Sequence, residues 1–392
     1  MSRRGQHDAV IVGGGVVGAA CALALSRLDL DVVLVEAATP QPWSADHPDL
    51  RVYAFAPDNA ALLDTLGAWQ PVRRSRLQPY RRMRVWDAAG GNDLVFDADA
   101  LGRSELGWIV EHGLLADRLW AALQASSVDV RCPARVESLE HGDEGISLRL
   151  DDGSRIAARV AIAADGAAST LRRLAGIPVD ACDYAQRGVV AYVDCEHPHA
   201  ATAWQRFLPT GPLALLPFAD GRCSIVWTLP EPEAARVLSL DDEAFSHELT
   251  TAFDARLGML RVSSKRVAFP LRRQLVDTQF TDGVLVIGDA AHAVHPLAGQ
   301  GVNLGLRDVS ALRDAILDAR RKRVDWHSPR RLARWARTQR SENTLAAHAF
   351  EGINRLYSND GVASTLLRGH LLGIAGRLPP LVDAFWKRAA GM

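Results

Sequence analysis

A glycine-rich turn at residues 13–18, with the sequence GGGVVG, limits the folds open to this chain more than any other feature. The apolar residues 8–12 before it predict a buried parallel strand, and the alanine-rich residues 16–28 predict a helix that starts inside the turn. Glycines allow close backbone approach to a pyrophosphate, whose charge is stabilised by the N–H groups of the helix N-terminus. The turn therefore predicts a βα dinucleotide-binding unit, with a helix-packing turn that binds no ligand as the alternative.

An acidic residue follows the second predicted strand. Residues 31–35 are mainly apolar, and Glu36 comes directly after them. A carboxylate at this place can accept hydrogen bonds from ribose hydroxyls, and it disfavours a 2′-phosphate there. The glycine pattern alone suits NAD and FAD equally, so it does not identify the redox group.

Two later motifs separate these cofactors. Asp165 follows a predicted strand at residues 160–164, and Asp289 follows another at residues 283–287. The Asp289 carboxylate can accept a hydrogen bond from a ribityl hydroxyl. The N–H groups of residues 301–303, where the next helix is predicted to start, can face the flavin pyrimidine edge, where negative charge collects on reduction. Together the three motifs predict FAD and therefore redox chemistry.

Composition bounds the setting of such a site. The 392 residues are 48% hydrophobic with a net charge of -1, so they can bury a sizeable core and create no global field that recruits nucleic acid. The five cysteines lack C-x-x-C spacing, which argues against a disulfide framework or a metal site and indicates a reducing compartment. Apolar runs end well before the roughly 18 residues of a membrane span. We therefore expect a cytoplasmic protein, at most bound peripherally to a membrane.

Four further segments carry a resemblance to a known family. They are RVYA at residues 51–54, LGWIVEH at 106–112, RFLPTGPLALLP at 206–217 and HPLAGQGVNLG at 295–305. With the three motifs they make the chain resemble the single-component FAD aromatic hydroxylases, and within that class the ubiquinone-biosynthesis hydroxylases. The likeness covers nearly the whole chain. It departs from the family at His112, where asparagine is usual at a local flavin or loop contact.

The resemblance implies which residues contact FAD. Most belong to the glycine turn, the end of the second strand, the two later motifs and the helix start that follows them. Three others lie outside these motifs, namely Arg51, Arg118 and Val136. The remaining implied contacts are Gly13, Gly15, Val16, Val17, Gly18, Glu36, Asp165, Gly288, Asp289, Gly301, Val302 and Asn303.

The resemblance also implies an α/β fold of the p-hydroxybenzoate hydroxylase type, in which a Rossmann-like FAD-binding domain is interleaved with a β-sheet substrate domain and followed by C-terminal helices. Domains of this kind are discontinuous in sequence. The expected bounds are 1–80, 104–177 and 272–345 for the FAD-binding domain, 81–103 and 178–271 for the substrate domain, and 346–392 for the helical segment.

Alternating apolar residues between positions 187 and 229 predict strands of the substrate sheet. The inner faces of these strands are expected to lie over the flavin. Ordinary sheet core is the alternative for each apolar residue there. The candidates for the substrate wall are Arg206, Phe207, Leu215, Pro217 and Trp227.

The implied chemistry is hydroxylation of an aromatic ring. NADH or NADPH would reduce FAD as a transient donor, or another protein would deliver the electrons. Oxygen would then form a flavin hydroperoxide, whose distal oxygen is attacked by an electron-rich phenol or quinol. A dry pocket is needed, because water promotes loss of hydrogen peroxide. His295 is the candidate base for the phenol proton and His292 the weaker one, with a purely local role in the flavin loop as the alternative.

Three functions stay open at this point. The first is hydroxylation of a polyprenylated phenol or benzoquinol in ubiquinone formation, with molecular oxygen and a hydrophobic aromatic substrate as partners. The second is hydroxylation of a small soluble aromatic compound, and the third is an oxygen-independent flavoprotein, such as a prenyl-chain reductase or an assembly subunit. Arginines between residues 320 and 340 and apolar residues between 366 and 386 raise the hypotheses of a peripheral membrane contact and a complex with ubiquinone-biosynthesis proteins. A solvated helix face and ordinary packing are the alternatives, and no nucleic-acid partner is expected.

Overall fold

The computed structural model describes residues 6–90, 93–142, 145–293 and 301–357. Its strands, in chain order, are β1 (His7–Val12), β2 (Val32–Val35), β3 (Val52–Phe55), β4 (Gln78–Tyr80), β5 (Arg82–Asp87), β6 (Leu94–Asp97), β7 (Gly107–Glu111), β8 (Asp129–Arg131), β9 (Val136–Gly142), β10 (Gly145–Leu150), β11 (Arg155–Ala163), β12 (Val179–Cys195), β13 (Thr202–Leu208), β14 (Gly211–Pro217), β15 (Cys223–Pro230), β16 (Leu260–Val262), β17 (Val267–Val276), β18 (Phe280–Thr281), β19 (Val284–Val286) and β20 (His292–Ala293).

The helices alternate with these strands in the first part of the chain and dominate its last part. They are α1 (Val16–Ser26), α2 (Pro57–Thr65), α3 (Trp69–Ser75), α4 (His112–Gln124), α5 (Thr170–Leu174), α6 (Glu231–Ser239), α7 (Asp242–Ala252), α8 (Gly301–Arg321) and α9 (Pro329–Tyr357). This mixture confirms the predicted α/β class. None of the described helices combines the length and the apolar character needed to cross a membrane.

The first sheet is built around parallel strands in the order β19-β11-β1-β2-β8. Ile11 of β1 lies between Ile162 of β11 and Leu34 of β2, so the glycine turn leaves the sheet at its centre. Nearly every residue of α1 is buried, because the helix packs against the sheet on one side and contacts α4 and α8 on others. An alanine-rich sequence suits this crowded position.

The second sheet has nine strands and is mostly antiparallel, with the order β20-β17-β12-β15-β14-β13-β5-β6 and β16 paired to β12. Strands β5 and β6 come from an excursion of the chain between β4 and β7, and β5 pairs parallel to β13. Helices α6 and α7 cover one face of this sheet, where Phe245 and Leu249 join its core.

A small third sheet, in the order β3-β7-β4, connects the two larger units. Alternate residues of β3 enter different cores. Tyr53 and Phe55 pack into the core of the first sheet, whereas Val52 and Ala54 pack against the second sheet, together with Tyr192. The third sheet therefore fixes the position of the two units relative to each other.

The predicted strands and helix around the glycine turn match β1, α1 and β2, and the predicted helix start near residue 302 matches the beginning of α8. The domain bounds stay a prediction. Helix α9 continues to Tyr357 and so crosses the expected bound at residue 346, and the rest of the predicted helical segment lies outside the described residues.

Candidate cofactor and substrate site

The glycine turn is held by contacts that no side chain could replace. Gly13 has a φ of +103°, and a Cβ built on it would lie 2.4 Å from the carbonyl oxygen of Ala164. A Cβ on Gly18 would lie 1.9 Å from the carbonyl oxygen of Gly13. Gly15 differs, because it is exposed and its Cβ would meet no atom of the described residues within 4 Å. The N-terminus of α1 is thus a rigid backbone cradle that opens at Gly15.

This cradle fits the pyrophosphate of FAD. Gly15 is the N-cap residue of α1, and among the residues that the structure describes no side chain caps the helix there by hydrogen bonding. The first helix turn also carries no acidic residue that would repel an anion. Backbone N–H groups and the positive end of the helix dipole are therefore left for a ligand phosphate.

Glu36 lies beside the cradle at the end of β2. Its carboxylate accepts hydrogen bonds from the backbone N–H groups of Gly14 and of Ala38, at 2.5 and 2.9 Å. Trp120 also contacts Gly14, because its Nε1 donates to the Gly14 carbonyl at 2.7 Å. The sequence does not predict this contact of Trp120, because a tryptophan on an amphipathic helix such as α4 usually indicates a core residue.

The third motif meets the first through one side chain. Val17 lies against both Gly288 and Gly305, and Cβ atoms built on these glycines would lie 3.1 and 2.6 Å from its methyl groups. Asp289 is half-buried, and a Cβ on Gly301 would lie 3.9 Å from its Oδ1. The glycine turn, the predicted ribityl acid and the start of α8 therefore surround one place.

Asn303 holds the start of α8 in this position. Its side chain is fully buried and bonds to the N–H of Ala56 at 3.0 Å, the carbonyl of Ala54 at 2.8 Å and the amide of Asn59 at 2.9 Å. Val302 packs into the first core. Backbone groups of these two residues are therefore left for a flavin, and the contact of their N–H groups with it stays a prediction.

Asp165, a predicted FAD contact, forms hydrogen bonds with the start of α5. Its carboxylate accepts the Ser169 hydroxyl and the backbone N–H groups of Thr170 and Leu171, the latter two at 2.7 and 3.1 Å. It therefore satisfies the first N–H groups of α5, whose N-cap residue is Ser169. Within α5, Arg172 donates to the Ala290 carbonyl at 2.8 Å and so ties the second motif to the third. Arg172 follows Asp165 and Gly166 closely in the sequence and is buried. It is the residue that could have indicated this link.

Arg118 belongs to a clamp on the loop between β2 and β3. It donates to Asp117 at 2.8 Å and to Ser75 at 2.9 Å, and its guanidinium lies 5.7 Å from the Trp43 ring centre. Arg76 approaches the same ring at 5.2 Å and forms a two-bond ion pair with the buried Glu111. This clamp places the loop that carries Arg51 next to the start of α4.

Val136 and Arg51 are two predicted cofactor contacts that lie outside the three motifs. Val136 begins β9 and packs with Val12 and Val35, the last residues of the two central strands. Arg51 is exposed, and its guanidinium lies 5.6 Å from the Tyr53 ring centre. Burial raises the pKa of Tyr53, and the charges of Arg51 and Asp289 also act on this pKa.

Of the two candidate histidines, His292 has a structural role. It is 1% exposed, and its Nε2 lies 2.6 Å from Asp308 Oδ2, which also accepts the Gly288 N–H at 3.0 Å. Burial opposes protonation of His292, but the Asp308 carboxylate outweighs burial and raises its pKa. Asn343 donates to the other oxygen of Asp308. His292 therefore fixes β20 to α8 and α9, and His295 lies outside the described residues.

The predicted substrate wall needs a correction, because four of its five residues lie on the face of the second sheet that α6 and α7 cover. Leu215 and Trp227 are 0% and 3% exposed in the core with Phe245. Pro217 is paired with Cys223 of that core, and cross-strand partners share a face. Arg206 donates to the Ala252 carbonyl at the end of α7.

Phe207 alone lies on the inner face, which is directed towards the third sheet. The same face carries Ala203 and Leu216, which pack against Val52. The error has a physical cause. Every residue of β14 is buried, so its sequence GPLALLP lacks the polar alternation that would distinguish an inner from an outer face.

Comparisons with known proteins support FAD binding by this chain. A model of the family described as an FAD binding domain matches residues 6–340. The chain is 36% identical to the 3-demethoxyubiquinol 3-hydroxylase of Escherichia coli (strain K12), over 98% of both chains. It is 33% identical to the mitochondrial ubiquinone biosynthesis monooxygenase COQ6 of Homo sapiens, over 96% of this chain and 91% of that one.

Among solved structures, p-nitrophenol 4-monooxygenase PnpA from Pseudomonas putida DLL-E4 superposes with a TM-score of 0.79 at 19% identity, over 98% of both chains. This likeness supports the fold alone, and the sequence relatives define the family. Their coverage leaves no large part of the chain unmatched. The chain therefore belongs to the family of FAD-dependent ubiquinone-biosynthesis hydroxylases and is an FAD-dependent monooxygenase.

Proposed function

We propose that this protein hydroxylates the aromatic ring of a polyprenylated phenol or benzoquinol in ubiquinone formation. The observation that carries the proposal is the contact of Val17 with Gly288 and Gly305, because it brings the open cradle and the motif of Asp289 together. The substrate class is inferred from the relative that is 36% identical over 98% of the chain.

The proposed FAD position assigns one task to each group around the cradle. The N-terminus of α1 at Gly15 binds the pyrophosphate, and Asp289 binds a ribityl hydroxyl. Glu36 gives up its hydrogen bond from the Gly14 N–H and binds ribose hydroxyls instead. Arg51 offsets negative charge, and the N–H groups at the start of α8 face the flavin. Bound FAD supplies the two-electron chemistry that activates molecular oxygen.

The proposed substrate wall is a row on the inner face of the second sheet. Gln205, Ala214, Val226 and Val190 are successive cross-strand partners on β13, β14, β15 and β12. Three of them are at most 7% exposed, and they share their face with Leu216. Buried side chains here exclude water from the reacting ring, which a hydroxylase needs in order to avoid losing hydrogen peroxide.

The electron donor is proposed to be NADH or NADPH, bound transiently. Steady oxidation of each nucleotide by the FAD-loaded protein is measured under air, with and without a short-chain prenylphenol, while hydrogen peroxide and hydroxylated product are assayed. Substrate-stimulated oxidation with equal amounts of product is expected. Flavin that chemical reductants reduce but neither nucleotide reduces contradicts this donor and favours a separate reductase.

A peripheral membrane contact and a complex of ubiquinone-biosynthesis proteins are proposed as accessory features. Their support is the basic end of α8, where Arg321 and Lys322 expose 77% and 61% of their side chains. Both pair with Asp318, which weakens this support. Flotation with vesicles that contain anionic lipid, compared with neutral vesicles, tests the membrane contact, and equal flotation with both rejects an electrostatic contribution.

A further inference from the structure

One polar side chain lies in the row of mostly apolar residues proposed above as the substrate wall. Gln205 is on β13, between its cross-strand partners Val85 on β5 and Ala214 on β14. Because side chains alternate between the two faces of a strand, Ala203 and Phe207 are its neighbours on the same face of β13. Gln205 is 6% exposed. A polar amide is therefore buried with apolar side chains next to it on this face of the sheet.

The Gln205 amide makes no hydrogen bond within the part of the chain that the structure describes. Two other glutamines of the same sheet do make such bonds. Gln186 Nε2 donates to the Thr210 carbonyl at 3.1 Å, and Gln274 Nε2 donates to the Ala167 carbonyl at 3.0 Å. Burying an amide without a partner is unfavourable, because the amide loses its hydrogen bonds to water. A ligand with a polar group would provide the missing partner of Gln205.

The Gln205 amide is also accessible to a ligand. The polar atoms that are fully enclosed and lack a partner include the indole nitrogens of Trp204 and Trp227, on the face that α6 and α7 cover. Among the described residues, neither amide atom of Gln205 belongs to this enclosed group. Gln205 therefore combines an unpaired amide with access to the space on the inner face of the sheet.

One cluster of side chains joins this part of β13 to the cofactor region. Ala203, the residue before Gln205 on the same face, packs in one cluster with Val52 and Ala54 of β3. The Ala54 carbonyl accepts a hydrogen bond from Asn303 Nδ2 at 2.8 Å, at the start of α8. Gln205 is thus two residues from a contact that leads to the segment predicted to face the flavin.

A phenol or quinol carries the group that this amide can bind. The glutamine side chain offers a carbonyl acceptor at Oε1 and an N–H donor at Nε2, and a ring hydroxyl can donate to Oε1. Unlike a histidine or a carboxylate, an amide does not take up the proton near neutral pH. It fixes the orientation of the ring, as single polar groups in apolar pockets do.

We propose that Gln205 is a specificity-determining residue of the substrate site, where its Oε1 accepts a hydrogen bond from a ring hydroxyl of the aromatic substrate and so sets which ring carbon faces the flavin. The proposal rests on the function proposed above. It adds the polar contact that an apolar wall cannot provide.

The test is the dissociation constant of two ligands from the FAD-loaded protein, measured by the change in flavin absorption. The ligands are a short-chain prenylphenol and the analogue in which hydrogen replaces the ring hydroxyl. The wild type should bind the phenol roughly tenfold more tightly than the analogue. Q205M has a side chain of similar size without an amide. It should bind the phenol roughly tenfold more weakly than the wild type and the analogue within about twofold of it.

Two further variants separate the hydrogen bond from packing. Q205E keeps an acceptor oxygen at the same place in either protonation state, so its affinity for the phenol should stay within about threefold of the wild type. Q186M is the matched control, because it removes an amide of the same sheet that already bonds to the Thr210 carbonyl. Its affinity for both ligands should equal that of the wild type. Under turnover, Q205M should also release more hydrogen peroxide per product than Q186M, because the ring is no longer held in place.

Equal weakening of both ligands by Q205M would assign Gln205 to packing and overturn the proposal. Equal affinity of the wild type for the two ligands would overturn it without any variant, so the test holds even if Q205M does not fold. The proposed function is tested separately with p-cresol and toluene. A wild type that binds p-cresol but not the prenylphenol contradicts the polyprenylated substrate, and the same ratios between p-cresol and toluene then decide the role of Gln205.

Discussion

The glycine turn and the second sheet differ in how strongly their sequences specify position. At the turn, Gly13 and Gly18 lie so close to other backbone atoms that only glycine fits, and the motif therefore determines geometry. In β14 every residue is buried, and exchanging one face for the other leaves the apolar pattern unchanged. Steric motifs thus predict a site directly, whereas two-sided burial predicts only that a strand exists.

The largest effect is expected from G18A. A Cβ at 1.9 Å from the Gly13 carbonyl must displace the turn, so FAD affinity should fall by roughly a hundredfold, about 3 kcal/mol, and the apo-protein should unfold more easily. G15A is the matched control, because in the described part of the chain its Cβ meets no atom within 4 Å and should leave the stability of the apo-protein unchanged. Fluorescence titration and thermal unfolding measure both. Equal stability of the two variants would show that the turn is not sterically fixed.

The next effect concerns the buried pair that supports the third motif. D308N leaves His292 without its partner carboxylate and should lower the free energy of unfolding by about 3–5 kcal/mol, as removal of one member of a buried ion pair does. D314N, on the exposed side of the same helix, should have almost no effect. Urea unfolding with a fluorescence readout compares the two variants.

The same pair predicts a pH dependence. Because the folded pKa of His292 is raised, its contribution is complete below the unfolded pKa of about 6.5 and is lost as pH rises through the higher folded value. The stability gap between wild type and D308N should therefore narrow above neutral pH. A gap that widens with pH contradicts a protonated His292 in the folded state.

Two neighbouring residues on β14 test the corrected assignment of faces. L215A removes a fully buried side chain from the core beneath α6 and α7 and should cost about 2–5 kcal/mol of stability. The folded fraction should keep the KM of the wild type for the aromatic substrate. A raised KM at full folding would return Leu215 to the substrate wall.

A214F is predicted to do the reverse. Its larger side chain enters the inner face, so hydroxylation should fall by roughly tenfold with FAD content unchanged, which is about 1.4 kcal/mol in the barrier. A125F, the same substitution at an exposed helix end, is the control. If product formation by A214F equals that of A125F, the inner face does not contact the substrate.

The smallest effect is expected from R206L. Arg206 donates to the last carbonyl groups of α7, so its loss should cost about 1 kcal/mol of stability. Thermal unfolding measures this, and steady-state kinetics should show an unchanged KM. A change in KM without a change in stability would support the original assignment of Arg206 to the substrate wall.

Much of the cofactor region was predictable because its signals are local. The turn, the strand before it and Glu36 lie close together in sequence. Their geometry follows from the glycines of the turn, which have no side chains. The supporting residues were not predictable in this way. Asp308 and Trp120 act on residues far away in sequence, although a buried acid among the apolar positions of α8 is a signal that could have identified Asp308.

The contact of Asp165 with α5 shows a second limit. An acid after a strand fits both a ligand contact and hydrogen bonds with a helix start, and only the positions of Thr170 and Leu171 reveal the hydrogen bonds. The faces of β14 show a third limit. Which side chains of β14 line the site depends on the elements that cover each face of the sheet. Residue type therefore predicted the chemistry of the site better than it predicted which side chains line it.

Single-turnover oxidation tests the central claim most directly. The FAD-loaded protein is reduced photochemically without oxygen, so that the identity of the natural donor has no influence, and is then mixed with oxygenated buffer and a short-chain prenylphenol. The account predicts nearly one hydroxylated product per flavin and little hydrogen peroxide. Full reoxidation that yields only hydrogen peroxide with the prenylphenol, but a hydroxylated product with a small aromatic acid, would contradict it.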